Sequence, residues 1–229
     1  MNMQSAWLRD RRVGGRALAL GFVALLACGG AAAQEAGERY VVDAAQSDLH
    51  WLVYKAGAFS RFGHNHTVAA GDLSGTVLVN SDDLAKSALE LEFSVANLVV
   101  DDPALRRTLG EEFSSVPSGD DVAGTRRNML SERVLDGEKY PQIRITGSGP
   151  MTSGGMKELA VKVAMLGRVV DLEVPTEVTI EGDRLRARGE FELNHADLGM
   201  EPFSVMAGAL QVGEKLSFSY DITARRAAR

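Results

Sequence analysis

The chain has 229 residues, 45% of them hydrophobic, with a formal net charge of −6 and a single cysteine. One cysteine excludes a disulfide framework and CxxC redox chemistry. The acidic balance argues against nucleic acid as a partner and gives no general attraction to anionic lipid surfaces.

Arg9, Arg11, Arg12 and Arg16 precede an apolar run over residues 17–27 that is short for a bilayer span, and Ala31-Ala32-Ala33 then offers a cleavage site. Residues 1–33 therefore read as an export signal, and the expected product is a soluble periplasmic protein. Leu25-Leu26-Ala27-Cys28 suggests the other possible end, a lipoprotein signal that would leave Cys28 acylated as an anchor, with bulky Leu26 weighing against it. Cleavage after Ala33 removes four arginines and one aspartate and takes the net charge to −9. The remainder suffices for one domain burying roughly 70% of its unfolded surface without staples.

From Arg39 onward the dominant period is two. Leu49, Trp51 and Val53 face one way and His50, Leu52 and Tyr54 the other. Further strands are expected at 76–80, 88–95, 142–147, 158–165, 168–174, 177–181, 184–193 and 215–223, separated by turns such as Leu166-Gly167 and Glu181-Gly182-Asp183. A short helix is expected over 103–110, and a helical or irregular crossover over 118–133, between the early and late strands. The fold class is all-β. A sandwich and a closed barrel both remain open at this point; closure is preferred because it removes exposed strand edges.

Two of the four histidines sit at i, i+2 in Arg61-Phe62-Gly63-His64-Asn65-His66-Thr67, so in an extended backbone His64 and His66 share a face. A metal site would need a third ligand, for which His195 beside Asp197 is the candidate. For His64 and His66 the preferred reading is hydrogen bonding to a ligand's polar group or within a loop, and for His195 a capping or strand-end hydrogen bond; no metal or cofactor is assigned. Asp101-Asp102 before Pro103 reads as a helix cap or a solvated turn, and Glu111-Glu112 likewise. There is no GxSxG elbow, GxGxxG or GxxxxGK[ST], so neither catalysis nor a nucleotide is expected. Trp51, Tyr54, Phe59 and Phe62 surround the histidine pair, and Phe191, Met200, Phe203, Met206 and Leu210 gather near His195. These side chains either line a cavity or fill a core.

The order of local patterns resembles the YceI-like family, exported bacterial proteins related to polyisoprenoid-binding proteins. The marks are Tyr40-Val41-Val42-Asp43 followed by Ser47 and the strand through Tyr54, then the Gly71-Asp72-Leu73-Ser74-Gly75 turn. Met129-Leu130 before Tyr140-Pro141-Gln142-Ile143 follows, then the hairpin at Leu166-Gly167-Arg168-Val169-Val170-Asp171-Leu172, and Phe191-Glu192-Leu193 running into Asp197-Leu198-Gly199. The likeness spans residues 38–224, and Gly63-His64-Asn65-His66 resembles the GHxH segment of one branch. The resemblance implies an extended eight-stranded antiparallel barrel of lipocalin-like form, with short helices between early and late strands and an apolar tunnel for an isoprenoid or other long-chain amphiphile. On this implication the expected ligand-binding residues are His64, His66 and His195 at the polar end and Trp51, Phe59, Phe62, Phe191 and Phe203 along the wall. The competing readings are a metal-binding periplasmic protein using the histidines, and a structural or stress-related protein whose barrel is filled.

Overall fold

The computed structural model describes residues 37–228; the export signal read over residues 1–33, and Cys28 within it, lie outside the described residues. Six strands come first: β1 (Glu38–Val42), β2 (Asp48–Ala56), β3 (His66–Ala70), β4 (Ser74–Val79), β5 (Ala88–Ser94) and β6 (Leu98–Val100). Helices α1 (Pro103–Arg106) and α2 (Gly119–Leu130) separate them from β7 (Gln142–Ser148), β8 (Met156–Met165), β9 (Arg168–Glu181), β10 (Arg184–Asn194), β11 (Ser204–Val205) and β12 (Leu210–Arg226). Eight strands, in the order β1-β4-β5-β7-β8-β9-β10-β12, close into an antiparallel barrel because β12 pairs with β1 as well as with β10. The expected all-β, lipocalin-like barrel is therefore present, with its helices between the early and late strands.

Closure rests on the length of β12, which has 17 residues. Its C-terminal end pairs with β1 at Val42↔Ala224 and Tyr40↔Arg226. The rest of the same edge pairs with β2, from Asp48↔Asp221 to Ala56↔Gln211, with a bulge between Val212 and Leu216. β3 and β6 continue outward from β2. The barrel thus has two storeys, a lower one walled by β1 and β4 and an upper one walled by β2, β3 and β6.

Inside and outside alternate as a half-buried antiparallel wall requires. On β10, Leu185 is buried and Ala187, Phe191 and Leu193 are partly buried, while Arg184, Arg186, Arg188, Glu190 and Glu192 are exposed. Outward-facing cross-strand pairs include Arg188 with Glu177 at 2.7 Å and Lys215 with Glu192 at 2.7 Å. Such exposed pairs contribute little stability and act mainly in fixing register.

The wall is not paired everywhere. The β9–β10 ladder runs from Arg184↔Glu181 to Arg188↔Glu177 and stops, although β8–β9 continues to Met165↔Arg168 and β10–β12 to Asn194↔Lys215. Pro175 lies at the parting point and has no N–H to give to β10. Its carbonyl accepts instead from the Tyr220 hydroxyl at 2.9 Å, and Thr176 Oγ1 lies 2.7 Å from that hydroxyl. Gly189 is required here, since a Cβ would fall 2.1 Å from the Pro175 carbonyl oxygen and 2.6 Å from the Tyr220 hydroxyl. The segments 168–174 and 177–181, expected as two strands, are accordingly one strand containing a proline.

Candidate functional site

In the lower storey, side chains fill the barrel. Tyr40, Val77, Val161, Val178, Leu185 and Ala224 belong to one buried cluster, and the remaining space is a cavity of about 120 Å³. The upper storey is hollow, with a cavity of about 520 Å³. That volume lies within the usual range of small-molecule sites, roughly 300–1,000 Å³. Leu49, Ile145, Val163, Leu172 and Phe191 touch both spaces and form the partition between them. Phe191 is held there by stacking on Phe218, centroids 5.1 Å apart, and by an edge contact with Tyr220 at 6.4 Å.

Strand alternation places the wall. On β2, Leu49, Trp51 and Val53 face the cavity, and across the ladder Trp51 is opposite Val68 and Val53 opposite His66. Trp51 also stacks on Phe218 at 5.9 Å. Gly124, Thr125, Asn128 and Met129 of α2 line the mouth. The helix starts with a capping box between Ser118 and Asp121, and Arg126 Nη1 donates to the Leu98 carbonyl at 2.6 Å, which fastens it to β6.

Seven of the eight residues expected at the site line this cavity: Trp51, Phe62, His64 and His66 from the first half of the chain, and Phe191, His195 and Phe203 from the second. Phe59 stands apart from the lining; it is exposed on the outside, edge-on to Phe62 at 6.2 Å. Met200 and Leu210 join the lining, but Met206 projects outward with 66% of its surface exposed. Tyr54 also faces away, with its ring edge-on to Phe113 at 6.0 Å and its hydroxyl 2.9 Å from Ser217 Oγ. The reason is parity: Tyr54 is one residue out of phase with Trp51 and Val53.

The histidines show the polar end in detail. His64 and His66 project to the same side, with ring centroids 5.2 Å apart. His66 Nδ1 lies 2.6 Å from Asp101 Oδ2, and Asp101 Oδ1 accepts from the Thr67 N–H at 3.0 Å and from Arg106 Nη1 at 2.6 Å. Arg106, itself buried, also donates to the carbonyls of Asn65 at 2.8 Å, Phe113 at 3.0 Å and Ser115 at 2.8 Å. Burial pushes the Asp101 carboxyl up, but hydrogen bonds from His66 and the Thr67 N–H, with the charges of His66 and Arg106, hold it below the ordinary carboxylate range. The His64 imidazole is lowered by burial first and by neighbouring His66 second. His195 is buried at the start of a one-turn helix, with Nδ1 2.9 Å from the Glu214 carbonyl. Among the described residues, no group of three or more His, Cys, Asp or Glu side chains is arranged to hold a metal ion.

Asp101 departs from the expectation of a helix cap or solvated turn. Asp102 does cap, accepting from the Ala104 and Leu105 N–H groups at 2.7 and 2.9 Å, but Asp101 turns inward at φ 55° and its side chain is fully buried. A short polar side chain tolerates that left-handed backbone. The inward turn cannot be read from adjacent carboxylates; the sole sequence signal is an odd acid preceding the cap position. Arg106, which neutralises Asp101, gave no signal apart from its place in the short helix.

A family profile described as the YceI-like domain matches residues 40–224. Among solved structures, the chain is similar to Burkholderia cenocepacia BcnA, with TM-score 0.57 and 14% identity over 80% of this chain and 98% of that one. It is also similar to a polyisoprenoid binding domain from Saccharophagus degradans implicated in plant cell wall breakdown, with TM-score 0.53 and 12% identity over 82% of this chain and 98% of that one. At those identities the likeness is one of fold. No curated protein matches the chain.

Proposed function

The chain belongs to the YceI-like family, and from that premise we propose that it is an exported, periplasmic binding protein that carries or sequesters an isoprenoid-like or fatty amphiphile in its upper cavity. The observation that carries this reading is a mainly apolar space of about 520 Å³ within a barrel whose lower half leaves only about 120 Å³. At the roughly 30 Å³ that a water-sized group takes in a liquid, it holds on the order of fifteen to twenty carbon or oxygen atoms. Each methylene removed from water contributes about 0.8 kcal/mol, so a chain of that length supplies ample affinity without a charged anchor. The polyisoprenoid binding domain of Saccharophagus degradans, which shares this fold, is consistent with the ligand class. The function is binding rather than conversion of a substrate.

Trp51 provides the test, since it lines the cavity and is the only tryptophan among the described residues. Titration with farnesol, a fifteen-carbon isoprenoid alcohol, is expected to shift its emission saturably at one ligand per chain. An unchanged spectrum with no farnesol retained after gel filtration would contradict the proposal.

A further inference from the structure

We infer that the polar end of the ligand is an uncharged hydroxyl, and that it donates its hydrogen bond to Nε2 of His66. This rests on the binding function proposed above and specifies its ligand. Ionised Asp101 can only accept, so the 2.6 Å contact makes His66 Nδ1 the donor. In the neutral imidazole the second nitrogen is then a bare acceptor. Nδ1 faces the buried carboxylate while the ring lines the cavity beside Val53 and Val68. Nε2 has no hydrogen-bond partner among the described residues and is not a sealed, unsatisfied atom, whereas Arg106 Nε and Thr67 Oγ1 are. His66 therefore presents the cavity with an acceptor whose direction is fixed by a carboxylate and a guanidinium behind it; the other oriented imidazole of the lining, His195, donates through Nδ1 to the Glu214 carbonyl and has no such charged pair behind it.

The surrounding charges select against an anion. Asp120 and Asp121 line the mouth, and Asp101 stands directly behind the imidazole. Arg106 spends its Nη groups on Asp101 and on backbone carbonyls and sits behind Asp101, and Lys55 Nζ is engaged by the Gly63 carbonyl at 2.9 Å. His64 resists protonation because it is partly buried beside a second imidazole. A carboxylate or phosphate head would meet Asp120 and Asp121 against the single ammonium of Lys55 among the lining residues, and would leave the His66 acceptor unmatched. A hydroxyl satisfies His66 by donating, and its oxygen keeps lone pairs with which to accept from a second donor.

Three ligands of one chain length test this: farnesol, farnesyl methyl ether and farnesoic acid, each titrated by Trp51 emission at about pH 8.5, above the ordinary imidazole range. The wild type is expected to bind the alcohol about fivefold more tightly than the ether, the size of one net hydrogen bond, and to bind the acid most weakly. His66→Leu should bring alcohol and ether to equal affinity while leaving the ether's own affinity within about twofold, and His66→Gln, which can accept through its amide oxygen, should restore part of the preference. Equal wild-type affinity for alcohol and ether would overturn the inference, as would tighter binding of the acid or an alcohol preference surviving in His66→Leu. Those failures leave chain binding intact. If none of the three ligands binds, the inference falls with the function on which it rests. If His66→Leu does not fold, the wild-type ranking of the three ligands decides alone.

Discussion

The two storeys of the barrel are built from the same strands yet do opposite things. In the lower storey every barrel strand is paired on both sides and the interior is closed by Tyr40, Leu185 and Ala224, each 1% exposed or less. In the upper storey β9 and β10 part at Pro175, β6 replaces β5 without pairing to β7, and α2 with the segment following β10 caps the opening. A fully paired ring fixes a narrow interior that side chains fill. A wall with a parted ladder and an added three-strand flap leaves space, and buried polar groups hold its shape. Apolar packing thus supports both storeys, through Tyr40 and Leu185 below and Phe93, Leu98 and Leu216 above, and the buried Asp101–Arg106 pair adds polar support beside the upper cavity.

The largest effect should come from breaking the polar support. Arg106→Ala leaves Asp101 buried and uncompensated and should cost about 3–5 kcal/mol in urea unfolding, with loss of farnesol binding as the β3 face loosens. A loss below about 1 kcal/mol would show the pair to be incidental. Leu185→Ala in the filled storey should cost about 2–5 kcal/mol and leave ligand affinity unaltered, which separates the two ends. Phe191→Ala removes the partition and joins the cavities of about 520 and 120 Å³. It should raise the affinity for a twenty-carbon isoprenol relative to farnesol by about tenfold, or about 1.4 kcal/mol. The smallest effect is one of pH. The folded pKa values of His64 and Asp101 are both depressed, so each contributes stability that is complete above its unfolded value and is lost as pH falls through the folded one. Urea midpoints should therefore decline first below the ordinary imidazole range and again below the ordinary carboxylate range. His64→Phe should remove the first decline alone.

Much of the barrel was legible because its late strands alternate strictly. The expected 158–165 and 184–193 fall within β8 and β10, where outward positions alternate with apolar inward ones, charged throughout in β10 up to Glu192 and charged or alanine from Glu158 on in β8. Less regular strands were missed. β3 is buried or partly buried at every position and so shows no inside–outside alternation, and β6 has only three residues. Pro175 divided one strand into two, since nothing local tells whether a proline's nitrogen faces a partner or a gap. In the site, parity placed His64 and His66 on one face, and the apolar inventory held Trp51, Phe62, Phe191, Met200, Phe203 and Leu210 but missed aliphatic and aromatic wall residues such as Phe93, Ile143, Val163 and Phe218. Parity also separated Trp51 from Tyr54, but which of the two faces lines the cavity needed the pairing of β2 with β3 and β12, and the outward position of Phe59, beyond the end of β2, had no periodic signal. The Asp101–His66 contact spans 35 residues and depends on a left-handed backbone that no short motif announces.

Whether the upper storey takes up one long-chain amphiphile is decided by native mass spectrometry of the protein purified from the cells that make it, before and after organic extraction. The account predicts a mass increment of one isoprenoid-like or fatty molecule per chain, uncharged at its polar end, that disappears on extraction and is restored by added farnesol. A single unliganded mass before extraction, with no uptake of farnesol afterwards, would contradict it.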